Sequence, residues 1–246
     1  MTSVRPMAVQ ILLKSLKGEL RRHRRRLYEF FGSDRYSHPA LDQIDQKLEK
    51  YLPYENGFFI EAGANDGFSQ SNTYYFERFL NWRGILVEPI PELHEKCVKE
   101  RPNSIVFNCA LVPIDYEGQS VTMLYSNLMS LVREAQKSEA ADLEHVRRGM
   151  EVQNIKEIYK IEVPARTLTS ILNEVGVKEI DLFSLDVEGY ELSVLKGLDL
   201  NKYRPKYILI EAKFRNEIES YLTEHGYEAI DELSRHDILY SGSSDS

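Results

Sequence analysis

The sequence has few of the features that mark secreted, metal-binding or membrane-embedded proteins. Its 246 residues contain two cysteines, Cys97 and Cys109, and their spacing matches neither a disulfide framework nor a zinc site. No apolar run approaches the roughly eighteen residues that a membrane span needs, and the apolar stretch 8–13 is too short for a secretion signal. These absences favour a cytoplasmic protein in a reducing environment.

An excess of positive charge occurs only in the first 36 residues. Residues 1–36 hold nine Lys and Arg against three acids, so the net charge of −8 leaves −14 for the remaining chain. A body this acidic lacks the basic stripe that grips a nucleic-acid backbone, and we expect no nucleic-acid partner. The composition, 42% hydrophobic and 28% charged, suits one globular domain with an extension.

The extension, residues 1–36, is predicted to be a basic amphipathic helix that covers residues 9–31. Its apolar residues recur at roughly helical spacing, and the run RRHRRR at 21–26 supplies most of the charge. A helix of this kind docks on its own domain, contacts another subunit, or binds an anionic membrane surface as a peripheral anchor. The sequence leaves these three alternatives open, and the oligomeric state with them.

The second unit, residues 37–246, alternates strand patterns with helix patterns. Strands are predicted at 57–61, 84–88, 104–110, 180–185 and 207–210, followed by an antiparallel pair at 227–230 and 237–240. Continuous apolar strands separated by helices predict a Rossmann-like, doubly wound, mostly parallel seven-stranded α/β sheet with an antiparallel terminal pair. Ligands of such sheets bind beyond the carboxyl ends of the strands, so the residues that follow each strand are the candidate site.

An insert of 67 residues, 112–178, separates the third and fourth strands. A segment of this length is expected to carry structure of its own in a compact domain. Residues 121–125 and 159–163 have strand character and predict a paired excursion, with a helix at 138–150 between them. The polar and small residues of 126–130 make that segment a candidate substrate lid. A packing excursion without substrate contact is the alternative.

The most informative stretch is FFIEAGANDG, residues 58–67, which contains most of the first predicted strand and the turn after it. An apolar run ends in Glu61, a turn between Gly63 and Gly67 follows, and a helix is predicted soon after. This arrangement lets backbone N–H groups approach a ligand closely. Glu88 ends the second strand, where an acid suits the hydroxyls of a ribose. Together these features predict a site for a nucleoside-bearing cofactor.

The turn favours S-adenosylmethionine over a dinucleotide. The middle glycine of a dinucleotide fingerprint is absent, and Asp66 would place a negative charge beside a pyrophosphate. S-adenosylmethionine is cationic and has no phosphate, so Glu61, Asp66 and Glu88 can accept hydrogen bonds from its amino group and ribose. Two alternatives stay open: a nicotinamide-dependent oxidoreductase, and a methyltransferase-like binding protein with an idle pocket.

Acids also follow the fourth and fifth strands: Asp186, Glu188 and Glu191 lie in DVEGYE, and Glu211 ends the next strand. An alcohol that accepts a methyl group must lose its proton, and a carboxylate with a pKa of about 4 is a poor base unless its environment changes. Burial among other acids raises that pKa, and a divalent ion bridging two carboxylates acidifies the hydroxyl instead. We predict Asp186 as the catalytic base, supported by Glu188 or Glu211. A Mg²⁺ or Mn²⁺ ion on Asp186 and Glu211 is the alternative, although no spacing demands a metal.

Four segments together resemble the FkbM-type methyltransferase family. In order over residues 57–213 they are FIEAGANDGFSQSNTYYFERFLNWRGILVEPIPE, FNCALV, TLTSIL and DLFSLDVEGYELSVLKG. The resemblance implies a class I S-adenosylmethionine-dependent methyltransferase that methylates a hydroxyl of a sugar, glycolipid or similar small polyol. Its partner would then be a small-molecule or glycan acceptor. The resemblance does not extend to the N-terminal helix.

The resemblance also implies which residues surround the cofactor. They follow the first three strands: Glu61, Gly63, Asn65, Asp66, Gly67, Glu88, Asn108, Cys109 and Ala110. The glycine turn would hold the methionine end, Glu88 would accept the two ribose hydroxyls, and the residues after the third strand would border the adenine. For Cys109, a small buried packing role is the alternative.

Overall fold

The computed structural model describes residues 7–125, 131–132 and 159–242. The helices are α1 (Met7–Phe30), α2 (Ile44–Leu48), α3 (Tyr74–Phe79), α4 (Pro91–Glu100), α5 (Leu168–Val175), α6 (Glu191–Lys196) and α7 (Arg215–Glu224), with a 3₁₀ turn at Leu41–Gln43. The strands are β1 (Phe58–Ala62), β2 (Arg83–Val87), β3 (Ile105–Phe107), β4 (Ala110–Leu111), β5 (Ser120–Tyr125), β6 (Leu131–Val132), β7 (Tyr159–Arg166), β8 (Leu182–Leu185), β9 (Tyr207–Glu211), β10 (Tyr227–Glu232) and β11 (Asp237–Gly242).

Seven strands form the central sheet, in the order β10-β11-β9-β8-β1-β2-β3. The strands from β9 to β3 in this order are parallel, and β11 is antiparallel to both of its neighbours. The predicted Rossmann-like sheet with its antiparallel terminal pair is therefore confirmed. From β1 the chain builds outward to β2 and β3, then returns to the other side of β1 with β8. The direction in which successive strands are added to the sheet therefore reverses at β1, and a crevice for ligands is expected at that point.

Apolar layers cover both faces of the sheet because neighbouring strand residues point to opposite faces. In β1, Ile60 packs in the cluster that contains Phe183, whereas Phe59 packs in the cluster that contains Trp82. All four side chains are fully buried. This two-sided burial explains why the strands read as continuous apolar runs rather than as alternating patterns.

The third strand is shorter than the predicted span 104–110. Its ladder with β2 covers only residues 105–107, and Ala110 begins β4 in a second sheet of order β4-β7-β5-β6. Between the two, the Asn108 side chain donates to the carbonyls of Glu88 and Pro89, each at 2.9 Å. These two bonds fix the chain where it leaves the central sheet.

The predicted excursion within the insert is confirmed for the residues that the structure describes. Strands β5 and β7 pair in antiparallel fashion along their whole shared length, and β4 runs parallel to the end of β7. The helix predicted at 138–150 and the lid predicted at 126–130 lie outside the described residues.

Helix α1 docks on the domain through a buried arginine. Arg25, 3% exposed, forms an ion pair with Glu100 of α4, and its guanidinium lies 3.6 Å from the centre of the Phe68 ring. One turn later Glu29 is also buried and accepts a hydrogen bond from Arg78 at 3.0 Å. The polar side of the helix therefore faces the protein. Among the described helices, none combines the length and apolarity that crossing a membrane requires.

Candidate active site

A cavity opens at the carboxyl ends of β1, β2 and β8, beside the reversal of strand order. Its empty volume, with the solvent in its open mouth included, is about 950 Å³. Seven predicted site residues line it: Glu61, Gly63, Asn65, Glu88, Ala110, Asp186 and Glu188. Five others are not among the residues that line it: Asp66, Gly67, Asn108, Cys109 and Glu211.

Gly63 is required because two strand ends meet at this residue. Its φ is +87°, and a Cβ atom there would lie 1.9 Å from the backbone oxygen of Asp186. Gly67 has φ +82°, and a Cβ atom there would lie 2.9 Å from the side chain of Arg101 and 3.1 Å from Cys97. Only glycine combines these dihedral angles with such close approaches. Both glycines thus pack the turn against its neighbours.

The turn does not offer free backbone N–H groups, contrary to the expectation drawn from its glycines. Every backbone N–H from Gly63 to Ser69 already donates within the protein. The first two donate to the carbonyl of Val87, the third to the Glu88 carboxylate, and the last two to Oδ1 of Asp66. Asp66 therefore stabilises the turn itself. Within this segment no backbone donor is left for a pyrophosphate, so the site is unfavourable for a dinucleotide.

Glu88 presents a fixed carboxylate to the cavity. It is 4% exposed, and its two oxygens accept hydrogen bonds from the backbone N–H groups of Ile90 at 2.9 Å and Asn65 at 2.8 Å. Burial raises the pKa of Glu88 to about 7, and these two hydrogen bonds oppose the rise. Each oxygen keeps a further acceptor position. The carboxylate can therefore accept two neighbouring hydroxyls, as a ribose would require.

Glu61 lies at the wall of the cavity, but its carboxylate is committed to the protein. It accepts hydrogen bonds from the Ser71 hydroxyl at 2.9 Å, the Asn72 backbone N–H at 3.0 Å and the Thr73 hydroxyl at 2.5 Å. Glu61 thus orders the segment between the glycine turn and α3. A direct contact with the methionine end of the cofactor stays a prediction.

Arg101 is the buried cation beneath this turn, and the sequence analysis missed it. Its side chain is 1% exposed. It donates five hydrogen bonds, to Glu61, the Gly67 carbonyl, Ser71, Thr73 and Glu77. Because the residue follows the charged end of α4, the local pattern resembles that of a surface arginine. No local signal distinguishes it.

The acids after β8 and β9 converge, as predicted. Register explains this convergence, because Leu185 pairs with Ile210 and the next residue on each strand carries an acid. Asp186 and Glu211 share a side-chain hydrogen bond. The Asp186 side chain is exposed to solvent where it lines the cavity, and the surrounding protein removes part of its hydration. This loss of solvation, together with the charges of Glu211 and Glu188, raises the pKa of Asp186 well above its ordinary value.

The loop after β8 holds these acids in a strained conformation. Glu188 has φ +56° and Gly189 has φ +101°, so simple strand alternation no longer governs where Glu188 points. Glu191 accepts the backbone N–H groups of Gly189 at 2.7 Å and Val187 at 3.3 Å, which fixes the loop. Burial raises the pKa of Glu191 to about 7. Glu191 therefore shapes the loop, and Glu188 reaches the cavity.

Asn72 and Ser184 are among the polar side chains that line the cavity and that the sequence analysis did not name. The Asn72 amide donates to the Ser184 hydroxyl at 3.1 Å. Ser184 is 2% exposed and lies two residues before Asp186 in an otherwise apolar strand. A polar residue in an apolar strand, two positions before the predicted base and therefore on the same side of the strand, is a sequence pattern that indicates a site residue.

The residues predicted to border the adenine divide into two roles. Ala110 faces the cavity. Cys109 is 2% exposed, and burial raises the pKa of its thiol to about 12, which suits the packing role. Asn108 bonds the loop after β2, as described above.

The lining suits a cationic cofactor. Glu88, Asp186 and Glu188 supply carboxylates, and the described lining contains no Lys, Arg or His. Val87 and Leu111 add apolar surface of the kind that encloses an adenine. These residues fit S-adenosylmethionine. No group of three or more His, Cys, Asp or Glu side chains within the described ranges has a metal-binding arrangement.

Comparison with known proteins agrees with this chemistry. The chain matches the methyltransferase FkbM domain over residues 61–229, more than half of its length. A curated relative, "Methyltransferase sdnD" of Sordaria araneosa, is 24% identical and is aligned over 81% of this chain and 89% of its own length. A solved methyltransferase FkbM from Methylobacillus flagellatus KT is 14% identical with a TM-score of 0.43, covering 81% of this chain and 53% of that one. A fibrillarin from Aeropyrum pernix in complex with S-adenosyl-L-methionine is 12% identical with a TM-score of 0.41, covering 76% and 67%. The match over residues 61–229 shows that the chain belongs to the FkbM family of S-adenosylmethionine-dependent methyltransferases.

Proposed function

We propose that this methyltransferase transfers the methyl group to a hydroxyl of a sugar, glycolipid or similar small polyol. The observation that carries this proposal is the Asp186–Glu211 carboxyl pair, whose Asp186 lines the cofactor cavity. A hydroxyl must lose its proton during methyl transfer, and a carboxylate whose pKa is raised is a stronger base than a free one. The pair therefore supplies what an alcohol acceptor needs.

Different residues of the chain bind the cofactor, accept the proton and position the acceptor. S-adenosylmethionine, when bound, supplies an electrophilic methyl group. Glu88 holds the ribose, and Asp186 takes the hydroxyl proton on its carboxylate. Glu188 and Tyr190 line the same cavity and can bond neighbouring hydroxyls of a polyol. Because in-line displacement depends on the position of the acceptor oxygen, such bonds raise the rate directly.

A divalent ion on Asp186 and Glu211 would have only these two carboxylates as protein ligands, because no group of three or more His, Cys, Asp or Glu side chains in the described part of the chain has a metal-binding arrangement. The proposed mechanism therefore uses Asp186 as a metal-free base, and the response of the rate to chelation tests it.

Cytoplasmic location is part of the proposal. Cys97 and Cys109 are both free and buried thiols, a state that a reducing compartment preserves. Fractionation of cells that produce the tagged protein would test this.

A screen with methyl-labelled S-adenosylmethionine tests the proposed acceptor class. Nucleotide sugars, glycolipids and free glycans are the acceptors, and amines and thiols of similar size are the controls. We expect label in a hydroxyl-bearing product. Transfer to amines or thiols alone would refute O-methylation. Stabilisation by S-adenosylhomocysteine without transfer to any acceptor would favour an idle binding protein, and thermal stabilisation by NAD alone would favour an oxidoreductase.

The pH dependence of cofactor binding tests Glu88. We expect the affinity for S-adenosylhomocysteine to fall as the pH drops through about 7. Protonation removes the negative charge that strengthens both ribose hydrogen bonds, and each charge-assisted bond contributes about 1.5–3 kcal/mol. Calorimetric titration at pH 6, 7 and 8 would measure this. Glu88→Gln should bind about tenfold or more weakly at pH 8 and lose the dependence.

The exposed Glu92→Gln is the matched control, and its binding should resemble that of the wild type. Equal affinity of the wild-type protein at pH 6 and 8 would remove Glu88 from the cofactor site.

A further inference from the structure

Large apolar side chains near the end of helix α1, and Phe31 directly after it, are exposed to solvent. Leu20 is 67% exposed, Leu27 55%, Phe30 80% and Phe31 75%. Their spacing places them along one side of the helix. A docked amphipathic helix normally buries this side, and a contiguous exposed apolar patch marks an interaction surface.

The outward orientation is fixed rather than incidental. Arg25 and Glu29, one helical turn apart, lie on the opposite side and are buried against the domain. Besides Arg25, Glu100 of α4 also pairs with Arg26 at 3.5 Å. Rotating the helix to bury its leucines would pull these charges out of their partners. Removing one partner from a buried ion pair is strongly destabilising.

Positive charge surrounds the exposed apolar row. The exposed basic residues of the helix are Arg21, Arg22, His23, Arg24 and Arg26. Beyond residue 36 the chain carries −14, so an anionic surface would repel the body and attract this helix. The protein would therefore approach such a surface in one orientation, with α1 leading.

We propose that α1 docks the protein on an anionic phospholipid bilayer. Leu20, Leu27, Phe30 and Phe31 insert at the boundary between headgroups and acyl chains, and Arg21 and Arg24 beside them bind lipid phosphates. A bilayer is favoured over a second copy of the chain, because a two-fold contact through the same patch would bring the arginines of both copies together.

Co-sedimentation with vesicles tests the docking. We expect the full-length protein to sediment with vesicles of phosphatidylcholine and phosphatidylglycerol, and not with phosphatidylcholine alone. Binding should weaken as salt rises, because the charges at the surface are screened. The combined variant Leu27→Ser, Phe30→Ser and Phe31→Ser should lose about tenfold or more in partitioning. Arg21→Gln should weaken it about fivefold and reduce its salt dependence.

The matched control is Ile114→Ser, which changes an apolar residue of similar exposure, 69%, away from α1. It should partition like the wild type. Unchanged thermal unfolding of the triple variant would show that its fold is intact. Equal sedimentation of the triple variant and the wild type would overturn the proposal. So would concentration-dependent dimerisation without vesicles that the triple variant abolishes, since that result assigns the patch to a second copy.

Discussion

Asp186→Asn is expected to lower kcat by about 10²–10⁴-fold, the usual contribution of a general base. Asparagine keeps the size of the side chain and cannot accept the hydroxyl proton. The affinity for S-adenosylhomocysteine should change little, because Asp186 acts on the acceptor. Single-turnover rates with the identified acceptor, together with calorimetric titration, would separate the two effects. A fully active Asp186→Asn enzyme would contradict the assignment and direct the search to Glu188 or Glu211.

The pH profile adds a second readout for the same residue. Asp186 must be ionised to act, and its pKa is raised by loss of solvation and by Glu211. The wild-type rate should therefore increase with pH through this raised pKa. Glu211→Gln removes one of the charges that raise it, so the rising limb should move to lower pH. If the rising limb of the pH–rate profile stays at the same pH in Glu211→Gln, then another group controls the rate.

Chelation separates the two mechanisms for activating the hydroxyl. With Asp186 as a metal-free base, EDTA should leave the rate unchanged. Loss of activity in EDTA and its recovery with Mg²⁺ or Mn²⁺ would replace this mechanism with a metal bridge between Asp186 and Glu211.

Arg101→Met is expected to lower the free energy of unfolding by about 3–5 kcal/mol, the cost of leaving a buried ion pair without one partner. Methionine fills much of the same space, but Glu61 and Glu77, each 5% exposed, lose their buried cation. Urea unfolding of the protein without cofactor would measure the loss. Cofactor affinity should fall as well, because Arg101 also bonds the carbonyl of Gly67 in the turn.

Two further variants give the Arg101 experiment its controls. Arg83→Met removes an exposed arginine and should have a small effect. Combining Arg101→Met with Glu61→Gln and Glu77→Gln removes the unpaired charges and should recover part of the lost stability. A triple variant no more stable than Arg101→Met would show that arginine packing, rather than charge pairing, dominates.

Strand ends were the part of this protein that its sequence predicted well. Apolar runs that finish in Glu61, Glu88, Asp186 and Glu211 identify the edge of the sheet where the cavity opens, and β-strand register brings the last two together. Such patterns show where a side chain is placed. They do not show whether its polar atoms already have partners.

Two features were therefore beyond the sequence. The backbone N–H groups of the glycine turn already donate hydrogen bonds to acceptors that include the carboxylates of Asp66 and Glu88, and Glu88 is distant from the turn in sequence. Arg101 reaches back 40 residues to Glu61. Likewise, helical periodicity predicts that α1 is amphipathic, but the buried partners of Arg25 decide which side faces the domain.

The pairing of β4 with β7 gives one part of the insert, residues 112–164, a property of its own. Ala110 lies beside Ala165, and Leu111 beside Arg166, so the chain leaves and returns at adjacent positions. With both ends held by one ladder, doubling the length of the span between them costs only about 0.6 kcal/mol in closure entropy. The insert can therefore lengthen, shorten or be exchanged between relatives as a module. Evolution can remodel one rim of the cavity while the cofactor turn beside it stays unchanged.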